Sequence, residues 1–128
     1  MDTTLSEKLL SLIISFENLL EGGNKEKFDI KHKVLYLLKH KQTATPSYLI
    51  ETLGIARSNL AIICNNLAKQ GAILKTKDAT NKKEIFYSLT DLGKQILNEK
   101  LENAETRLTK IRNKTKIIKL SKELSKLI

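Results

Sequence analysis

The sequence has no tryptophan, one cysteine, one proline and five glycines in 128 residues. With Cys64 alone, no disulfide can close within one chain and no metal site can be built from cysteines. A reducing compartment is the simple setting for such a chain. Proline and glycine are too sparse for a flexible linker, and no repeat or low-complexity stretch occurs, so a single domain over residues 1–128 is expected. The aromatic side chains are only Phe16, Phe28, Tyr36, Tyr48, Phe86 and Tyr87, poor material for a platform that stacks single-stranded bases. No apolar run approaches the roughly 20 residues of a membrane span. The start, MDTTLSEKLL, lacks the basic opening and cleavage site of a signal peptide, so a cytoplasmic protein is expected. There is no phosphate-cradling glycine loop, no nucleophile paired with a base and no cluster of metal ligands. Neither catalysis nor a cofactor is expected. His32 and His40 lie eight residues apart on one helix, without a carboxylate cluster, and read as surface or subunit-interface histidines.

What is present is positive charge, unevenly spread. The net charge is +9, with 41% hydrophobic and 29% charged residues, which suits a folded chain. Residues 1–56 balance, with seven basic and seven acidic groups. Residues 57–90 carry Arg57, Lys69, Lys75, Lys77, Lys82 and Lys83 against Asp78 and Glu84. Residues 91–128 carry ten basic against five acidic groups. A polyanion is the natural partner for such a chain, and nucleic acid is the commonest one. A plain lysine-rich solvated surface is the competing explanation, chiefly for the C-terminal part.

Hydrophobic spacing divides the chain into elements. Thr4 and Glu7 fit a capping box. Leu5, Leu9, Leu12, Phe16 and Leu19 follow at helical spacing, and Gly22-Gly23 ends that helix. Asp29 starts a second helix with Ile30, Val34, Leu37 and Leu38 inward, ending near Lys41. Thr45-Pro46 starts a short third helix with Leu49, Ile50 and Leu53 inward, and Gly54 stops it. A fourth helix opens at Arg57. Two short helices about a tight glycine turn are the helix-turn-helix signature. In the fourth helix Leu60, Ile63, Cys64 and Leu67 must face the core, which leaves Ser58, Asn59, Ala61, Ile62, Asn65, Asn66 and Lys69 outside. Ala72–Lys77 and Glu84–Leu89 read as the strands of a hairpin wing with its tip at 78–83. Thr90 can cap a long helix whose Leu97, Leu101, Ala104, Leu108 and Ile111 form a heptad stripe. The register breaks near Asn113, and Ile117, Leu120, Leu124 and Leu127 resume it in a final helix. The expected class is mainly α with a small β-hairpin wing.

This order of parts resembles the MarR family of winged helix-turn-helix regulators. The matching residues are Leu49-Ile50-Glu51-Thr52-Leu53-Gly54-Ile55, Leu67 to Gly71 (LAKQG), Ile73, and Ser88-Leu89-Thr90-Asp91-Leu92-Gly93. Gly71 and Asn81 are also spaced as that family spaces its glycine and wing-tip aspartate. The motif-level likeness covers about residues 45–93. It implies an N-terminal dimerisation helix over 1–23, a winged helix-turn-helix over 29–90 and dimer-interface helices over 91–128. It implies a homodimer holding two winged helices to successive major grooves of a pseudo-palindromic operator, repression of transcription, and relief by a small-molecule effector. Leu5, Leu9, Leu12, Leu101, Leu108, Ile117, Leu120 and Leu124 would then line the interface. Three departures bear on DNA preference. The wing tip reads Asn81-Lys82-Lys83 where the family carries Asp-x-Arg, and lysine lacks the arginine fork. Ala56 stands where a serine cap is usual. Ile62 stands where a polar or basic residue is common: it either meets a thymine methyl or tucks under the wing.

The candidate DNA contacts follow, each with its alternative. Arg57 can pair with guanine and Asn59 with adenine, or both touch only phosphate. Ser58 suits a phosphate contact or the cap. Ala61 and Ile62 lie on the same face as Asn65 and Asn66, which reach the groove or are merely solvated. Lys82 and Lys83 are the wing contacts, or an ordinary charged turn. Cys64 falls on the apolar stripe, where packing is expected and not redox sensing. Two rivals share these features: a winged helix that binds proteins through the same surface, and a plasmid or phage replication or partition factor.

Overall fold

The computed structural model describes residues 4–21, 28–78, 80, 84–108 and 114–126. Among them are six α-helices and a small antiparallel sheet, in the order α1 (Leu5–Glu21), α2 (Ile30–Lys41), β1 (Thr43–Ala44), α3 (Pro46–Leu53), α4 (Arg57–Lys69), β2 (Ile73–Lys77), β3 (Ile85–Leu89), α5 (Asp91–Leu108) and α6 (Lys114–Ser125). This is a mainly α winged helix-turn-helix. The chain divides into a unit of Phe28–Lys100 and a unit of Met1–Lys27 with Leu101–Ile128. Gly22-Gly23, Ile111, Asn113 and Leu127 lie outside the described residues.

The helix starts are set by short polar side chains. The Thr4 hydroxyl accepts from the Glu7 N–H at 3.2 Å. The Asp29 carboxylate accepts from the His32 N–H at 3.4 Å, and the Thr45 hydroxyl from the Tyr48 N–H at 3.2 Å. Each satisfies an N–H that the first helical turn leaves without a partner. Pro46 occupies the first turn of α3, where its missing N–H costs nothing. Gly54 ends α3 at φ +66°, and its N–H reaches back to the Ile50 carbonyl at 2.9 Å. Gln42 ends α2 at φ +70°, a geometry that a residue with a Cβ rarely adopts.

In the Phe28–Lys100 unit the core is Val34, Leu35 and Leu38 of α2, Leu49 of α3, Leu60, Cys64 and Leu67 of α4, with Ala44, Ala72, Ile73, Tyr87 and Leu97. Burying one such leucine is worth about 1.5–3 kcal/mol. The stripe expected on α2 needs correction. Leu35 is fully buried and His32 nearly so, while Ile30 and Leu37 are only half-buried. The reason is that α2 is covered on two sides, by α3 and α4 and by the sheet, so its buried face is wider than one stripe.

β3 is the central strand, with β2 on one side and β1 on the other, all antiparallel. The short β1, which the sequence pattern does not signal, pairs Thr43 with Ser88 and Ala44 with Tyr87. The β2–β3 register pairs Ile73 with Leu89, Lys75 with Tyr87 and Lys77 with Ile85. Directly paired residues share a face, so the face that is apolar at the base carries lysines towards the tip. Thr90 locks the wing to α5. Its hydroxyl donates to the Gly71 carbonyl at 2.6 Å and accepts from the Gly93 N–H at 3.1 Å, and its N–H donates to the Ala72 carbonyl at 3.1 Å.

The other unit combines α1, the end of α5 and α6. Phe16, Leu19 and Leu20 face Leu108, Ile117 and Leu124 across an apolar groove of about 400 Å³. The Arg107 guanidinium donates to the Leu20 carbonyl.

Candidate nucleic-acid interface

The turn at Gly54 and the core set the orientation of α4. Leu60, Cys64 and Leu67 at i, i+4 and i+7 are buried, so the opposite stripe must face out. That stripe is Ser58, Ile62, Asn65 and Lys69, every one exposed. Asn59 and Asn66 occupy one flank. With Ile63 and Gln70 they line a groove of about 390 Å³ whose far wall is Asp29, Ile30 and Lys31 at the start of α2. Ile63 is therefore half-buried and not a core residue like its neighbours. Arg57 and Ala61 occupy the other flank, Arg57 as the first helical residue, and both are exposed.

Arg57, Ser58, Asn59, Ala61, Ile62, Asn65 and Asn66 thus share one exposed helix surface. Within it, Arg57 and Asn59 lie on opposite flanks. The alternative of Ile62 tucked under the wing is not what the structure has: Ile62 is 62% exposed. Helix α4 carries two basic residues, Arg57 and Lys69, and no acidic one. Ala56 takes the N-cap position with extended backbone and no side-chain hydrogen bond, so the first N–H groups of α4 stay open to an anion.

Lys82 and Lys83, with Asn81, lie outside the described residues. Up to that tip the hairpin is closed by the Asp78 N–H donating to the Glu84 carbonyl at 3.0 Å, and the Asp78 carboxylate accepts from the Thr80 N–H at 3.1 Å. Lys75 and Lys77, marked in the sequence only by their charge, lie on β2 beside this surface. Both are exposed, and they continue the face that Ile73 begins. The signal for this in the sequence is the i, i+2 spacing from Ile73, which puts all three on one side of a strand.

Cys64 on the inner side of α4 and His32 at the start of α2 are both buried. Burial pushes the Cys64 thiol up to about 11, with the Tyr87 hydroxyl and the Lys75 charge opposing. The thiol stays protonated and packs as a small apolar side chain. His32 corrects an expectation: it is buried at the start of α2, not on the surface. The register that puts Asp29 at the cap turns His32 inward, against Phe28, with ring centroids 6.1 Å apart. Its Nδ1 lies 2.6 Å from the Asp29 carboxylate. Burial lowers its pKa, with Asp29 pulling the other way and Lys100 and Lys31 adding to the lowering. His40 is exposed and packs on Tyr36.

Of the expected interface residues, Leu5 and Leu9 are exposed, while Leu12, Leu101, Leu108, Ile117, Leu120 and Leu124 are half-buried. Leu10, Ile13, Ile14 and Ile118 are exposed too, and helical spacing alone does not single them out. Among the described residues, no helix is long and apolar enough to cross a membrane.

No family model matches the chain. Over 62 residues, 47% of the chain, it is 39% identical to an uncharacterized HTH-type transcriptional regulator of Bacillus subtilis, YvnA, and the match spans 40% of that protein. The crystal structure of wild-type apo MarR from E. coli superposes with a TM-score of 0.73 at 17% identity, covering 100% of this chain and 98% of that one. BpsR of Bordetella bronchiseptica, solved to explain regulation of its DNA binding by 6-hydroxynicotinic acid, superposes with a TM-score of 0.64 at 12% identity, covering 95% and 93%.

Proposed function

The chain has the winged helix-turn-helix fold of the MarR regulators, and from it we propose a sequence-specific, double-stranded DNA-binding transcriptional regulator. It acts as a cytoplasmic homodimer on a pseudo-palindromic operator. It represses, and a small molecule relieves repression, as 6-hydroxynicotinic acid regulates the DNA binding of BpsR. Residues 1–128 work as one functional piece, with the N- and C-terminal helices holding two copies together and the winged helix presenting α4.

The observation that carries this reading is the outward surface of α4. A helix with hydrogen-bonding side chains, two cations, no anion and an open N-terminus suits a major groove lined by phosphates. Arg57, Ser58 and Lys69 serve the backbone or the groove edge, and Asn59, Asn65 and Asn66 face the bases. Lys75 and Lys77 extend the positive surface along the wing, and Lys82 and Lys83 are its further contacts. The half-buried and exposed apolar residues of α1, α5 and α6 form the dimer contact.

Selection from a random duplex pool, repeated at low and physiological salt, tests it. The expected product is an inverted repeat with half-sites about one helical turn apart, with affinity falling steeply as salt rises. Recovery of no preferred sequence, with binding lost at physiological salt, would overturn the reading.

A further inference from the structure

Ile62 is the residue of α4 that the fold does not explain. The core stripe of Leu60, Cys64 and Leu67 is complete without it. It stands at the middle of the opposite stripe between Ser58 and Asn65, one turn from each, with Lys69 beyond. Its stripe neighbours are polar, so it does not belong to an apolar patch of the kind that anchors a protein partner. It is one large apolar side chain at the centre of the polar outer face of a helix that has no acidic residue.

We propose that Ile62 is a base-reading residue that packs on the C5-methyl group of a thymine, and that each half-site therefore needs an A·T pair beneath the middle of α4. The inference rests on the DNA-binding function proposed above. In the major groove only thymine offers a methyl group. Opposite cytosine or guanine, the same isoleucine would cover the N4 donor or the O6 acceptor without giving it a partner, which is costly. The residues around it agree. Asn59, Asn65 and Asn66 carry the carboxamide that pairs with adenine N6 and N7. No acidic residue in α4 can accept from cytosine N4. The one arginine, Arg57, is at the end of the helix and off the central stripe, so a guanine contact belongs at the edge of the half-site and not at its centre.

The test uses the full chain and the duplex recovered by selection. Each thymine is replaced in turn by deoxyuridine, which removes the methyl and keeps the pairing. Affinity is followed by fluorescence anisotropy. One thymine in each half-site should lose about fourfold in affinity on replacement, the worth of one buried methyl. Ile62→Ala should lose a similar factor on the thymine duplex and nothing further on the uracil duplex. Replacement that is silent at every thymine overturns the inference, and so does a uracil penalty that persists undiminished in Ile62→Ala. A silent nucleotide series on the unaltered protein overturns the inference even if the variant is impaired, and Ile62→Val, which keeps a smaller branched side chain, then assigns any penalty to this residue by a partial loss. Failure to select any duplex is a different result, since it removes the DNA-binding function itself.

Discussion

At the scale of single residues, Gly93 and His32 are the positions where chemistry and packing are most tightly coupled. Gly93 lies in the first turn of α5, pressed against the base of the wing at Ala72 and Leu89. A Cβ there would overlap the Ala72 carbonyl oxygen and the Leu89 side chain. The carbonyl is fixed, because it accepts the Thr90 N–H. Gly93→Ala should therefore destabilise the fold by roughly 3 kcal/mol, at the upper end of overpacking penalties, seen as a lower midpoint in urea denaturation. An unchanged midpoint would mean that α5 shifts freely on the wing. His32 gives a pH effect of definite sign. Its folded pKa is below the ordinary 6.5, because burial disfavours the imidazolium. As pH falls, the unfolded chain takes up that proton first. Stability is thus full above 6.5 and declines as pH falls from there through the lowered folded value. Denaturation at pH about 7.5 and about 5.5 should show the native protein losing stability, and His32→Gln losing less. Equal losses in both proteins would place the effect on other groups.

At the scale of elements, the cap of α4 is the feature most open to a test. The Ala56 side chain cannot accept from the first N–H groups, whereas Asp29, Thr45 and Thr90 each do so for their own helices. Ala56→Ser should stabilise the chain by about 1 kcal/mol, read as a higher melting temperature. No change would show that the backbone at Ala56 does not present its side chain to the helix end. The same elements show what can be read from the sequence. Local rules are enough for Thr4, Asp29, Pro46, Gly54 and Thr90, since a cap or a stop needs only a few neighbouring residues. The outward face of α4 is legible too, because burial of Leu60, Cys64 and Leu67 leaves no other face for Ser58, Ile62 and Asn65. Long-range packing is not legible. β1 is two residues long and exists only because β3 lies beside it. Leu35 is in the core because the sheet covers a second side of α2, which a single stripe along that helix cannot anticipate. His32 follows from the cap: Asp29 fixes the helix start, and the third residue on from it then points inward.

At the scale of the whole molecule, the deciding quantity is apolar surface. Helix α1 has 17 residues, and Leu5, Leu9, Leu10, Ile13 and Ile14 are exposed on it, Leu5 by 73%. Together with the half-buried Leu12, Phe16 and Leu19 they make a broad apolar face, wider than one stripe, opposite Glu7, Ser11, Ser15 and Asn18. An isolated chain leaves much of that face to water, and an exposed apolar patch of this breadth marks an interaction surface. A second copy is the proposed cover, which would also give DNA two recognition helices at once. Leu9 is exposed in the single chain, so a charge there costs little in folding, but it would be buried without a partner in the dimer. Leu9→Glu should therefore shift the protein to monomer in sedimentation equilibrium at micromolar concentration while leaving its circular dichroism unchanged. Binding to a full inverted repeat should weaken by at least roughly 100-fold, because the second half-site is no longer bound intramolecularly. Binding to an isolated half-site should be unaltered. These measurements separate the interface from the reading helix: a variant that stays dimeric places the contact elsewhere, and a native protein that is itself monomeric removes the dimer from the mechanism.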